Sequence, residues 1–235
     1  MSRHTRLIAA IDTKDITQAK QWVKDFGKTV DAIKLGFEFT YSCGLEAVKE
    51  VSAGHKLFLD LKLHDIPNTV ASGLSALTKS LSPALTTIHA SGGAEMIHRA
   101  REALEENFPS PDTRPKLLAV TVLTSMDQTG LNQIGVTGTP HDQVIRLGKL
   151  AIDSGADGLV CSAHELVALR DNLGDKPILV VPGIRPQGSE ANDQKRIMTP
   201  RQASNAGADW IVVGRPITQA KNPAATAQAI QDELS

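Results

Sequence analysis

Short aliphatic runs alternate with longer amphipathic stretches from one end of the 235-residue chain to the other, and the alternation repeats eight times. Aliphatic runs of about four to eight residues between turn formers predict strands, and the longer stretches predict helices. The strands are LIAAID (Leu7 to Asp12), AIKLG (Ala32 to Gly36), KLFLDLKL (Lys56 to Leu63) and LTTIHA (Leu85 to Ala90) in the first half. KLLAVTVLT (Lys116 to Thr124), GLVCSA (Gly158 to Ala163), ILVVPGI (Ile178 to Ile184) and WIVVGRP (Trp210 to Pro216) follow in the second. Helix punctuation lies between them. Thr17 opens a helical pattern that ends near Gly27, Gly92 and Gly93 precede one from Ala94 to Asn107, and Pro109 follows its end. Thr199 and Pro200 supply an N-cap and a first-turn proline for a helix ending at Gly207, and the last begins at Asn222-Pro223. Eight successive strand-helix units with no linker between them predict an α/β protein, a single-domain (β/α)8 TIM barrel over residues 1–235. The competing architecture is an open doubly wound sheet, which places a glycine-rich phosphate turn after its first strand. Here AIDTKD stands at that place.

Composition narrows the class. Apolar residues are 41% and charged residues 22%, which excludes a disordered chain, and no apolar run approaches the roughly 18 residues of a membrane span. With aromatics at only 3%, the core must be aliphatic. A net charge of −1 provides no global field toward nucleic acid or an anionic membrane, so neither is an expected partner and any anion must be bound locally. Cys43 and Cys161 are too few for a disulfide framework, and Met1 to Thr13 reads as the approach to a strand rather than a signal peptide. The cytoplasm is the expected compartment.

Polar residues late in the strands carry the functional signal, because barrel chemistry collects at strand C-terminal ends. In the first strand Leu7, Ala9 and Ile11 share one face and Ile8, Ala10 and Asp12 the other, so Asp12 aims into the barrel mouth. Lys34 does the same in the second strand. In the third, Leu57, Leu59, Leu61 and Leu63 face the helices and leave Phe58, Asp60 and Lys62 facing in. At a rise of roughly 3.3 Å per residue, Asp60 and Lys62 lie about 6.6 Å apart along that strand. A structural ion pair is the alternative for any one of these charges. Three of them, late in neighbouring strands, favour a ligand site, since a purely structural barrel fills these layers with Val, Ile and Leu. Asp65 lies beyond the regular strand, where alternation cannot aim it. His64 reads as a supporting or structural residue, and His89 is open between structural and functional roles.

The seventh and eighth units point to a phosphate. Loops after these strands often hold phosphate through backbone N–H groups. Gly183 and Gly214 allow close backbone approach, and Arg185 and Arg215 offer forked donors; two solvent-exposed arginines at loop bends are the alternative. Gln194, between them in sequence, is uninformative by itself. GLSALTKS (Gly73 to Ser80) departs from a phosphate-binding loop at Thr78 and falls inside a helix, His164-Glu165 lacks a second histidine, and the cysteines lack ligand spacing. Nothing in the sequence asks for a metal or a nicotinamide cofactor.

KLFLDLKLHDIPNTV resembles the orotidine 5′-phosphate decarboxylase family. The D-x-K-x-x-D core of Asp60, Lys62 and Asp65 is shared by a wider superfamily of decarboxylases and aldolases, and IPNT (Ile66 to Thr69) sharpens the match. The resemblance extends in order through AID ending at Asp12, KLG from Lys34, VTVLTSM, PGIRP, Gln194 and VVGRPI, with Ile11 where leucine is common. It implies cofactor-independent decarboxylation of orotidine 5′-monophosphate to UMP and CO2, the last step of de novo UMP synthesis. Lys34, Asp60, Lys62 and Asp65 would form an alternating charge array beside the pyrimidine C6, with Lys62 as proton donor. The resemblance further implies a homodimer in which Asp65 and Thr69 cross to the neighbouring site. Asp12 and Lys34 would bind the ribose hydroxyls, and Thr124 and Ser125 would lie near the base. Arg185, Gln194, Gly214 and Arg215 would surround the 5′-phosphate, and the loop from Arg185 to Arg196 would act as a lid. Two other functions remain in play: a superfamily relative acting on a keto-sugar phosphate with Mg²⁺, and a non-catalytic barrel that senses UMP.

Overall fold

A computed structural model describes residues 4–186 and 198–234. Its strands are β1 (Arg6–Ile11), β2 (Ala32–Gly36), β3 (Leu57–Leu63), β4 (Leu85–His89), β5 (Lys116–Val120), β6 (Gly158–Val160), β7 (Ile178–Pro182) and β8 (Trp210–Val213). Each pairs in parallel with the next, and β8 returns to β1, so the sheet closes in the order of the sequence. Parallel neighbours need crossovers. These are α1 (Ile16–Phe26), α2 (Phe37–Ser52), α3 (Pro67–Leu81), α4 (Gly93–Asn107), α5 (Gln128–Gln133), α6 (Pro140–Asp153), α7 (Leu166–Leu173) and α8 (Pro200–Asn205), with α9 (Arg215–Thr218) and α10 (Pro223–Leu234) after β8. The expected barrel is the observed one.

Local signals place the helix starts. The Asp15 carboxylate accepts from the N–H groups of Thr17 and Gln18 and caps α1. Thr199 accepts from the Gln202 N–H and the Gln202 side chain returns the bond, a capping box that opens α8 with Pro200 in its first turn. Alternation then sorts the strand side chains into two apolar layers. Leu7, Ala9 and Ile11 join the layer between strands and helices, as do Leu57, Leu59 and Leu61, while Ile8, Ala10 and Phe58 fill the barrel interior with Leu118, Val180 and Trp210. No described helix is long and apolar enough to cross a membrane.

Several strands end earlier than their aliphatic runs suggest. The fifth run continues to Thr124 but its ladder stops at Val120, and the eighth continues to Pro216 but stops at Val213. Asp12 sits one residue beyond β1. An apolar run records what is buried, whereas a ladder needs a neighbour at the same height, and at the barrel rim that neighbour is missing. Past the ladder the chain bends or turns at Val122 and Thr124 and enters α9 at Arg215, and residues of both segments line a cavity.

Candidate active site

β3 departs from a regular strand at the barrel mouth. Its pairing with β4 runs through Leu59↔Thr86 and resumes at Leu63↔Ile88, so Asp60, Leu61 and Lys62 all stand opposite Thr87. Such a bulge bends the strand and re-aims its side chains. The excess is absorbed at Lys62, whose φ of 43° lies in the left-handed region, a conformation that costs a residue with a Cβ of order 1–3 kcal/mol. Thr87, fully buried, accepts the Lys62 N–H at 2.8 Å and donates its hydroxyl to Asp60 Oδ1 at 3.0 Å.

The charges form a chain of alternating sign. Lys62 Nζ donates to Asp60 Oδ2 at 2.8 Å, Lys34 Nζ lies 3.6 Å from the same oxygen, and Lys34 Nζ reaches Asp12 Oδ1 at 3.3 Å. Gly36, ending β2, makes the room, since a Cβ there would stand only 3.3 Å from Lys34 Nζ. The Lys62 ammonium also lies 5.8 Å from the centre of the Phe37 ring, within cation-π range. Burial works to raise the Asp60 pKa, but Lys34, Lys62 and the hydrogen bonds from Lys62 and Thr87 outweigh it and hold the carboxyl below its ordinary value. Asp60 is therefore an anion at neutral pH, and it keeps Lys62 both oriented and paired with opposite charge.

On the following strands, Gly183 turns the chain after β7 with φ of 78° and leads to Arg185, while Gly214 ends the run of β8 ahead of Arg215. Arg185 is buried and Arg215 exposed, yet both line the same cavity as Asp12, Lys34, Asp60 and Lys62. That cavity measures about 300 Å³, and its charged lining comprises two carboxylates and four cations. A net +2 inside a chain of net −1 selects a ligand with several negative charges. Val120, Val160 and Pro182 give it an apolar wall, and Thr124 contributes a hydroxyl. Among the described residues, no group of three or more His, Cys, Asp or Glu is arranged to hold a metal ion.

The remaining expected residues lie elsewhere. Asp65 and Thr69 are exposed and outside the cavity lining; the Asp65 carboxylate accepts the N–H of Ile66 at 2.6 Å, and Thr69 lies in the first turn of α3. Ser125 is exposed and does not line the cavity although Thr124 does. Gln194, and with it most of the expected lid, falls outside the described residues; on its flanks Ile184 bridges Met198, and the Arg185 N–H donates to the Met198 carbonyl. His64 and His89 form a tilted pair with ring centres 5.3 Å apart, and the His89 pKa is lowered by burial, then by His64 and Lys62. Cys161 is a cavity residue that the sequence did not single out. Burial pushes its thiol pKa far up, so it contributes a neutral wall rather than a nucleophile. Thr87 was also missed, although alternation within LTTIHA aims it inward beside Leu85.

Comparison with known proteins supplies the context of this geometry. Residues 5–230 match the profile described as the orotidine 5′-phosphate decarboxylase / HUMPS family. The chain is 70% identical to an orotidine 5′-phosphate decarboxylase of Gluconobacter oxydans strain 621H, over 100% of this chain and 99% of that one. It is 51% identical to an orotidine 5′-phosphate decarboxylase of Pseudoalteromonas translucida strain TAC 125, over 94% and 93% of the two chains. Among solved structures, the orotidine 5′-phosphate decarboxylase of Lactobacillus acidophilus superposes with a TM-score of 0.86 at 40% identity, covering 98% of this chain and 99% of that one.

Proposed function

The chain belongs to the orotidine 5′-phosphate decarboxylase / HUMPS family, and on that premise we propose how its own side chains convert orotidine 5′-monophosphate to UMP and CO2. The reaction is the last step of de novo UMP synthesis. The observation that carries the assignment of roles is the meeting, in one cavity, of the ion-paired chain Asp12, Lys34, Asp60 and Lys62 with two arginines, Arg185 and Arg215, that follow β7 and β8.

Loss of CO2 from C6 leaves an electron pair in an sp² orbital with no carbonyl placed to delocalise it. Stabilisation must then be electrostatic and end in protonation, and a fixed ammonium does both. Lys62 is that group: it stabilises the developing charge at C6 and then delivers its proton there. Asp60, held ionised, keeps the ammonium charged and aimed. Lys34 and Asp12 bind the ribose hydroxyls, and Thr124 and Ser125 approach the base. Arg185, Gln194, Gly214 and Arg215 enclose the phosphate. Binding energy at the phosphate, remote from C6, serves to position the reacting carbon. The charge array lacks one acid within a single chain. We assign that place to Asp65 of a second copy, which would complete the site in a homodimer together with Thr69, each subunit acting as one barrel domain in the cytoplasm without a cofactor.

The test is the fall in absorbance of orotidine 5′-monophosphate on addition of purified protein, with and without EDTA, beside the Lys62→Ala variant. Turnover that resists the chelator and falls by about 10⁴-fold or more in the variant is the expected result. Undiminished turnover by Lys62→Ala would overturn the role of Lys62. Turnover lost to EDTA and restored by Mg²⁺ would overturn the cofactor-free mechanism.

A further inference from the structure

The proton donor proposed above is not positioned by its own strand alone. Where β3 accumulates Asp60, Leu61 and Lys62 opposite the single residue Thr87, the Lys62 N–H has no strand carbonyl opposite it in register and goes instead to a side chain. One hydroxyl then meets two opposite demands. It accepts from the Lys62 N–H at 2.8 Å and donates to Asp60 Oδ1 at 3.0 Å, while the other Asp60 oxygen holds the Lys62 ammonium at 2.8 Å. The three contacts close a ring that runs from the Lys62 backbone through Thr87 and Asp60 to the tip of Lys62. A hydroxyl can serve both neighbours because it has one proton and two lone pairs. A valine would serve neither, and an acid would repel Asp60. Thr87 is fully buried and does not line the cavity.

We propose that Thr87 is a positioning residue for the decarboxylation, its hydroxyl locking the Asp60 carboxylate and the left-handed Lys62 backbone together so that the ammonium is presented to C6. The inference rests on the reading of Lys62 as proton donor. It differs from a merely structural role in one measurable way: the hydrogen bonds of the ring join Lys62, Thr87 and Asp60 and include neither Arg185 nor Arg215, so its loss must slow turnover without loosening nucleotide binding.

The experiment compares the parent, Thr87→Val and Thr87→Ser, with Lys62→Ala as reference, by kcat and KM for orotidine 5′-monophosphate and by the Kd for UMP. Misplacing a reacting group by about 1 Å costs on the order of 10²-fold, so kcat of Thr87→Val should fall by about that factor while KM and the UMP Kd move by less than about threefold. Thr87→Ser, which keeps the hydroxyl, should stay within about threefold of the parent. A second readout is pH. Burial works to raise the Asp60 pKa while Lys34, Lys62 and the Thr87 hydroxyl lower it, so Thr87→Val should move the acid limb of kcat/KM to higher pH.

The proposal is overturned by Thr87→Val turning over like the parent, by parallel losses of kcat and UMP affinity, or by Thr87→Ser as impaired as Thr87→Val. If Thr87→Val does not fold, Thr87→Cys takes its place, since a thiol of similar size is only a weak donor and acceptor. Loss in the cysteine variant with retention in the serine variant supports the proposal, and equal activity overturns it. Active Lys62→Ala would remove the donor reading and the positioning role together; inactive Lys62→Ala beside active Thr87→Val would remove only the positioning role.

Discussion

The two ends of the barrel handle charge in opposite ways. At the N-terminal end, Asp31, Asp157 and Asp209 each stand just before a strand. Asp31 N–H donates to the Leu7 carbonyl while its carboxylate takes the Leu7 N–H at 2.8 Å. Asp157 does the same with Leu117, and Asp209 with Leu179. Gln231, Arg101 and Arg170 then complete the three carboxylates, and Arg170 also ties down the carbonyls of Gly174, Pro177 and Gly207. These bonds join neighbouring strands at the lower edge of the sheet. At the C-terminal end, the charges are gathered around a cavity rather than folded into the ladder, with more cations than carboxylates in its lining. The lesson is that similar residue types serve stability where their partners are backbone groups and serve function where part of the partner set is left to a ligand.

The sharpest way to break this contrast is to ask whether the upper end is complete within one chain. Folded but inactive Asp65→Ala and Lys62→Ala proteins should regain activity when mixed and allowed to exchange subunits. In each hybrid dimer one site has both residues intact, so random exchange gives up to about a quarter of parent turnover. Demonstrated exchange with no recovery would mean that Asp65 is not shared and that the array is as closed as its counterpart below.

A smaller effect, and the complementary one, is expected at the lower end. Asp209→Asn keeps the shape but weakens the bonds to the Leu179 N–H and to Arg170, which should cost about 1–3 kcal/mol. In a protein of this size each kcal/mol corresponds to roughly 2–4 °C in Tm. Calorimetry should show that loss while kcat and KM stay at parent values; a large fall in kcat without a fall in Tm would erase the distinction between the two ends.

The smallest effect concerns the histidine pair beside the array. The folded pKa of His89 lies below 6.5 because of burial, then His64 and Lys62, with Asp60 opposing. Above pH 6.5 the imidazole is neutral in both folded and unfolded chains and adds no pH dependence. Below it the unfolded chain takes up the proton first, so stability falls with pH until the folded pKa is passed. His89→Gln should flatten the decline of Tm between neutral pH and pH 5, and an unchanged slope would place the acid sensitivity elsewhere.

Much of the upper end was legible in the sequence. Asp12, Lys34 and Asp60 could be aimed by alternation along the pleat, Lys62 was aimed inward the same way although the bulge sets its backbone, and Arg185 and Arg215 could be placed by the loops they occupy. Less of the lower end was. A lone acid before a strand, as in VDAI, GADG and GADW, looks like an ordinary solvated turn residue, and only the pairing of each strand with the one before it brings Leu7, Leu117 and Leu179 against it. Thr87 lay between these cases: alternation gave its direction, but nothing local announces that β3 carries extra residues opposite it.

The sequence by itself determined the order of strands and helices, the two faces of each strand and the set of charges at the barrel mouth. Those properties depend on local periodicity, which the backbone imposes wherever a segment is extended or helical. The tertiary structure alone decided which atoms meet: the bulge opposite Thr87, the left-handed Lys62, the ring through Asp60, and the exposure of Asp65. These depend on the register between strands far apart in the chain and on closure of the barrel, where the pairing at one edge constrains the pairing at every other.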